Sequence, residues 1–253
     1  MSWQRVGDTH PRQLAAARDE VHWLSQCAAL YALRALDAKP DWSHYSLRWE
    51  ADRGVMQTVD GVVAIRPADA MILVGDSALD PRGLTLVEVL AWVGRETGFE
   101  DLAMADLPHQ MPAHPLESGA TFLLGNAEAL LELGRWYANA ASALSRFGDL
   151  QVWTHHFDIA TVAYRGAGEE QIGCGMTPGE GADGKPYFYI TPWPYPSVES
   201  LPALQLGAWH TEGWTGAVLT ADDLSRTDMA QSEHVDRFLS AAVDAARQLL
   251  SAA

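Results

Sequence analysis

Two short segments, His155-His156-Phe157-Asp158 and His210-Thr211-Glu212, place three imidazoles and two carboxylates inside runs that are otherwise apolar. Such groups are costly to bury without partners, so they mark either a site or a hydrogen-bonded network. Side chains alternate across a strand. If each segment lies in a strand, His156 shares a face with Asp158, and His210 shares a face with Glu212 and Trp214. Neighbouring strands would then bring His156, Asp158, His210 and Glu212 to one point, and these four are the candidate catalytic residues. An imidazole oriented by a carboxylate can carry out general acid–base work.

The same groups suit a divalent metal such as zinc, iron or manganese, with His156, Asp158 and His210 as its ligands. The His-x-Asp…His order matches the facial triad of non-haem iron oxygenases. Those enzymes use an eight-stranded jelly roll and an arginine that holds the keto acid. The second half of this chain shows about four strands, and Arg226 is only a loose match for the arginine. A small-molecule pocket is the alternative, lined by His44, His155, Trp153, Tyr189, Trp193, Trp209 and Trp214. The run 187–196 starts as an aromatic strand and ends in alternating prolines, which hold an extended backbone without donors. It is expected to form a stiff pocket rim, with a mobile glycine-rich loop over 176–184 beside it. The structural alternative is a buried network that ties strands together and performs no catalysis.

Other motifs fail. Gly75-Asp76-Ser77-Ala78-Leu79 is close to an esterase nucleophile block, but it carries an inserted alanine, lies well into the chain, and no Asp-x-x-His block follows near the C-terminus. His210-Thr211-Glu212 lacks the Pro-Cys-x-x-Cys half of a zinc deaminase. There is no Walker A loop and no strand–Gly-x-Gly-x-x-Gly–helix unit, and Cys174 between two glycines is a weak nucleophile candidate.

Elements that would position these residues follow from periodicity. A helix is expected from an N-cap at Thr9 to about Leu36, with apolar residues at helical spacing and His22 and Gln26 on a solvent-facing polar edge. Strands are expected at 43–50, 55–59, 62–66 and 71–74, then a helix at 85–97 closed by Gly98. Residues 99–118, rich in proline, read as an irregular connection. A long helix at 126–147 follows. Strands are expected at 150–164, 171–176, 187–191 and 206–219, the last bent at Gly213 or Gly216, and a closing helix at 232–250 capped by Ser232. The fold class is α+β, an antiparallel sheet flanked by helices in one compact domain. Both halves, 10–98 and 126–251, read helix–strands–helix, which suggests an internal duplication that sets His44 and Ser46 where the second half has His156 and Asp158.

The chain has 33 acidic and 17 basic residues, a formal charge of −16 that argues against nucleic acid and anionic membrane surfaces as partners. The partner expected is a small molecule. The ten tryptophans are expected to be buried or to line a pocket. No basic-then-apolar start suggests a signal peptide, and Cys27 and Cys174 read as reduced thiols in a cytoplasmic protein.

The motifs together resemble a bacterial family of unknown function. They are an early His-Trp…Gln helix, in which Gln26 falls three residues after Trp23, then Ser-His-x-x-Leu-x-Trp at 43–49 and Val-Trp-x-His-His-Phe-Asp at 152–158. Pro-Tyr-Phe-Tyr-x-x-Pro-Trp-Pro-Tyr-Pro at 186–196 and Gly-x-Trp-His-Thr-Glu-Gly-Trp at 207–214 complete the set. The resemblance implies a shared fold and one ensemble of His44, His156, Asp158, His210 and Glu212. It lends no activity.

Overall fold

A computed structural model describes residues 3–165, 169–181 and 184–251. Among these, the protein is an α+β fold with five α-helices and two antiparallel sheets. Helix α1 (Pro11–Ala35) begins at Pro11 because proline fits a first helical turn, whose amides lack partners in any case. Its cap is His10 rather than Thr9: the His10 ring accepts from the Arg12 amide at 3.3 Å. Every residue from Glu20 to Ala32 is buried, so α1 has no solvent edge in that stretch. His22 and Gln26 are therefore interior groups, contrary to the solvent-facing edge expected from their spacing.

The first sheet is a simple meander of β1 (Arg48–Glu50), β2 (Val55–Gln57), β3 (Val63–Arg66), β4 (Met71–Val74) and β5 (Ser77–Leu79). The last of these was not expected. The first strand is three residues long because residues 43–46 form turns and bends, with the Ser46 hydroxyl donating back to the Ser43 carbonyl. Helix α2 (Leu86–Thr97) opens on a reciprocal Thr85–Glu88 capping box and stops at Gly98, whose φ of 80° is open to glycine without strain. Residues 99–118 hold only short 3-10 turns. Helix α3 (Ala127–Leu144) is capped by Asn126, which accepts from the Ala129 amide at 3.0 Å.

The second sheet contains β6 (Gln151–Trp153), β7 (Asp158–Arg165), β8 (Gln171–Thr177), β9 (Tyr187–Trp193), β10 (Ala208–His210) and β11 (Gly216–Thr220), in the order β10-β11-β9-β8-β7-β6. Helix α4 (Ala221–Arg226), not expected from the sequence, follows directly on a Thr220–Asp223 capping box. Helix α5 (Gln231–Ser251) closes the described chain, with Ser232 inside its first turn rather than capping it. The two sheets meet at one bridge, where Leu47 and Val152 exchange backbone bonds of 2.9 and 2.7 Å.

Two segments read as single strands are hairpins. Residues 150–164 break at a turn over 154–157 between β6 and β7, and 206–219 breaks at 211–215 between β10 and β11. The first break rests on Phe157, a buried residue held at a left-handed φ of 56°, and the second contains Gly213 at 82°. Of the loop expected over 176–184, residues 182 and 183 lie outside the described residues. The carbonyls of Gly181 and Gly184 accept from the buried Arg18 guanidinium. No helix among the described residues is long and apolar enough to cross a membrane.

Candidate functional site

Strand register sorts the second sheet into two faces. Ile172, Cys174, Met176, Phe188, Ile190, Ala217 and Leu219 point into the core. Ala160, Gly173, Gly175, Thr177, Tyr187, Tyr189, Thr191, Gly216 and Val218 point the other way. The outward face is low where its residues are small. Tyr189 lies across Gly175, its cross-strand partner, so closely that a Cβ at Gly175 would sit 2.5 Å from the tyrosine Cζ. Trp214 lies in the same way over Gly216. Glycine inside a strand commonly marks such a close approach.

The hollow that results is a cavity of about 270 Å³ lined by His156, Asp158, Thr177, Glu180, Tyr187, Tyr189, Thr191, Tyr195 and Trp214. Asp158 is 8 % exposed. Its Oδ2 accepts from the Tyr189 hydroxyl at 2.5 Å, while its Oδ1 is buried with no hydrogen-bond partner. Burial raises the carboxyl's pKa, the Tyr189 bond and the nearby His156 work against that rise, and Glu180 adds to it. Burial also drives the Tyr189 phenol well above its usual range and pushes Tyr187 up to about 12.

The turn that carries His156 and Asp158 is gripped from behind. The Thr154 carbonyl accepts from His22 Nε2 at 2.7 Å and from Gln26 Nε2 at 2.8 Å, both on α1. A carbonyl can only accept, so His22 carries its proton on Nε2. The His22 ring stacks on Phe157 at 4.8 Å, 8° from parallel, and the Tyr137 hydroxyl of α3 donates to the Phe157 carbonyl at 2.5 Å. A non-glycine residue at positive φ persists only when its surroundings over-determine it, and these bonds do so.

The strand-parity expectation is corrected by this geometry. His155, His156 and Phe157 lie in a turn, and Glu212 lies in the turn after β10, so alternation does not govern them. The cavity gathers His156, Asp158, Tyr189 and Trp214 and leaves out the other candidates. His210 stands behind Trp214 with ring centroids 4.5 Å apart, and its Nε2 is satisfied by the Glu212 backbone carbonyl at 2.8 Å. The Glu212 side chain is exposed. Trp209 donates to the Pro202 carbonyl and packs on the core. Trp193, 42 % exposed, stands edge-on against Tyr195 on the outside. His44 accepts from the Lys39 amide and packs between Trp42 and Tyr45. His155 leads away from the cavity, between His156 at 4.3 Å and His109 and Trp153 at 5.9 Å. His156, Asp158 and His210 do not form the expected metal triad. Among the described residues no group of three or more His, Cys, Asp or Glu is placed to hold a metal ion.

Tyr187, Thr191 and Tyr195 fall in the rim expected over 187–196, and Thr177 and Glu180 in the loop expected beside it, although none of the five was singled out as a site residue, and neither were Tyr137 and His109. The available signal was Gly173-x-Gly175 in one strand and Tyr187-x-Tyr189-x-Thr191 in the next, small residues opposite large ones.

Larger clefts lie elsewhere among the described residues, and two are more than twice the size. One, of about 600 Å³, includes Glu20, but that carboxylate is occupied by the Leu123 and Leu124 amides. The other, of about 730 Å³, is walled mainly by apolar residues of α2 and the 99–118 connection. No protein-family model, curated protein or solved structure matches the chain.

Gly175→Ala is expected to push the Tyr189 ring off the cavity floor and part its hydroxyl from Asp158. Overpacking of this kind costs about 1–3 kcal/mol. Urea unfolding measures the loss, and an unchanged midpoint with the Tyr189 ring in place would contradict the close approach.

Proposed function

We propose that the cavity on the outer face of the second sheet binds a small molecule, with Asp158 as its anchoring acid and His156 beside it. The observation that carries this reading is the orphaned Asp158 Oδ1, buried at the wall of a cavity. Folded proteins pair about nine-tenths or more of their buried polar groups, and an unpaired carboxylate oxygen costs stability that a bound ligand would recover. Aromatic walls with a few convergent polar groups are the usual make-up of such sites. A raised carboxyl next to an imidazole also supports proton transfer to or from the bound molecule, which extends the proposal to an enzyme. The family resemblance lends no activity, so the proposal rests on the cavity. The free thiols Cys27 and Cys174, both buried and both pushed up to about 12 by burial, support a reducing compartment such as the cytoplasm.

A different pair of polar residues supports a network reading of its own part of the molecule. The clamp of His22 and Gln26 on the Thr154 carbonyl ties α1 to the β6–β7 turn, and neither side chain lines the Asp158 cavity.

A fragment library screened by NMR, with both ligand and protein signals observed, tests the proposal. Hits are expected to compete with one another and to shift the Tyr189 and Trp214 signals. A library that leaves those signals unmoved at millimolar concentration would overturn it.

A further inference from the structure

The chemistry of the cavity wall restricts what it can hold. Two carboxylates line it, Asp158 and Glu180, and no lysine or arginine does. The nearest buried cation, Arg18, is engaged by Asp19 at 2.7 Å and by the Gly181 and Gly184 carbonyls. An anionic ligand would therefore meet negative charge without a counter-ion. Four aromatic rings complete the wall: Tyr187, Tyr189, Tyr195 and Trp214. Successive rings turn against one another. Tyr187 and Tyr189 are 6.4 Å apart at 63°, and Tyr189 and Trp214 are 6.2 Å apart at 76°. Rings set nearly at right angles around a hollow offer π-faces in several directions, the arrangement by which proteins hold alkylammonium groups. The unpartnered, buried Asp158 Oδ1 is the second and independent observation.

We infer that the ligand is a small organic cation, an alkylammonium held between these rings and the Asp158 and Glu180 carboxylates. The inference rests on the cavity being a ligand site, as proposed above. A cation beside the Asp158 carboxylate supplies a counter-charge and favours its ionised form, offsetting the effect of burial. His156 is the imidazole at the wall, and the titratable neighbours of Asp158 are His156, Glu180, Tyr187 and Tyr189 together with Tyr137 behind the sheet.

Three probes of equal shape separate charge from size: choline, the neutral 3,3-dimethylbutan-1-ol, and the anionic 3,3-dimethylbutanoate. Titration calorimetry on the full chain, with NMR of Tyr189 and Trp214, is expected to show choline binding at least tenfold tighter than the alcohol and the carboxylate not binding. Glu180→Gln and Trp214→Leu are each expected to weaken choline at least threefold, the first at an exposed position that leaves the fold intact. If the alcohol or the carboxylate matches choline while shifting the same signals, the ligand class is wrong and the cavity proposal stands. Choline binding that is unchanged in both variants overturns the cation inference as well. If none of the three probes moves Tyr189 or Trp214, this inference and the cavity proposal fail together.

Discussion

Replacing Asp158 by asparagine is expected to leave the melting temperature unchanged or higher while lowering ligand affinity at least tenfold, about 1.4 kcal/mol. The substitution preserves shape and keeps an oxygen to accept from the Tyr189 hydroxyl. It removes the charge that burial penalises. The sign follows from linkage. Asp158 has a raised pKa in the folded state, so between the ordinary carboxyl value of 3.8 and that raised value the native protein binds the proton more tightly than the unfolded chain. Stability contributed by this group is therefore present at low pH and lost as pH rises through the folded pKa. The asparagine variant should gain most at alkaline pH and nothing below pH 3.8. Asp158→Ala differs, because it strands the Tyr189 hydroxyl, and a stranded buried donor costs about 1–3 kcal/mol. Calorimetric melting of both variants from pH 5 to 9 decides the matter. A marked fall in melting temperature for the asparagine variant would show that the carboxylate holds the fold together rather than waiting for a ligand.

Acid should destabilise the protein between pH 6.5 and 4, and His22 should account for much of the loss. Burial, the leading cause, lowers its pKa from 6.5 to about 4, with His109, Arg18 and His155 adding repulsion and the Thr154 carbonyl opposing. A histidine depressed on folding contributes stability that is complete above the unfolded value and drains away as pH falls toward the folded one. A shift of this size corresponds to about 3 kcal/mol, a large fraction of the roughly 5–15 kcal/mol that stabilises a domain. His155 is lowered to about 4 as well, by burial first and His156 and His109 next, but it is partly exposed and its share is reduced by solvent screening. Asp158 acts in the opposite sense and blunts the transition. Urea unfolding at pH 7 and at pH 4.5 measures the difference. His22→Gln, whose amide can still donate to Thr154, should flatten the dependence. A variant that keeps the wild-type slope would place the acid sensitivity elsewhere.

These residues also show what the sequence could and could not convey. Apolar periodicity located α1, α2, α3 and α5 and most strands, because those elements are defined by which face is buried. The alternation of polar residues at 153–160 and 208–214 looked equally regular, yet it crosses two turns. Phe157 adopts positive φ only because His22, Gln26 and Tyr137, distant in sequence, brace its turn. No local signal announces such bracing. His156 and Asp158 do share one cavity, brought there by a turn rather than by strand alternation. His210 and Glu212 were grouped with them on strand alternation and on the family resemblance. The strand glycines did carry information, since Gly175 and Gly216 are where Tyr189 and Trp214 come to rest.

The all-round burial of α1 bears on how the chain is made. Its cover includes α3, which starts at residue 127, and the turn at 154–157 that His22 and Gln26 hold. At about 5–20 residues per second on the ribosome, that cover follows α1 by on the order of ten seconds. Over that interval a 25-residue segment rich in leucine and alanine has none of its final neighbours from the second half of the chain, a natural point of engagement for chaperones.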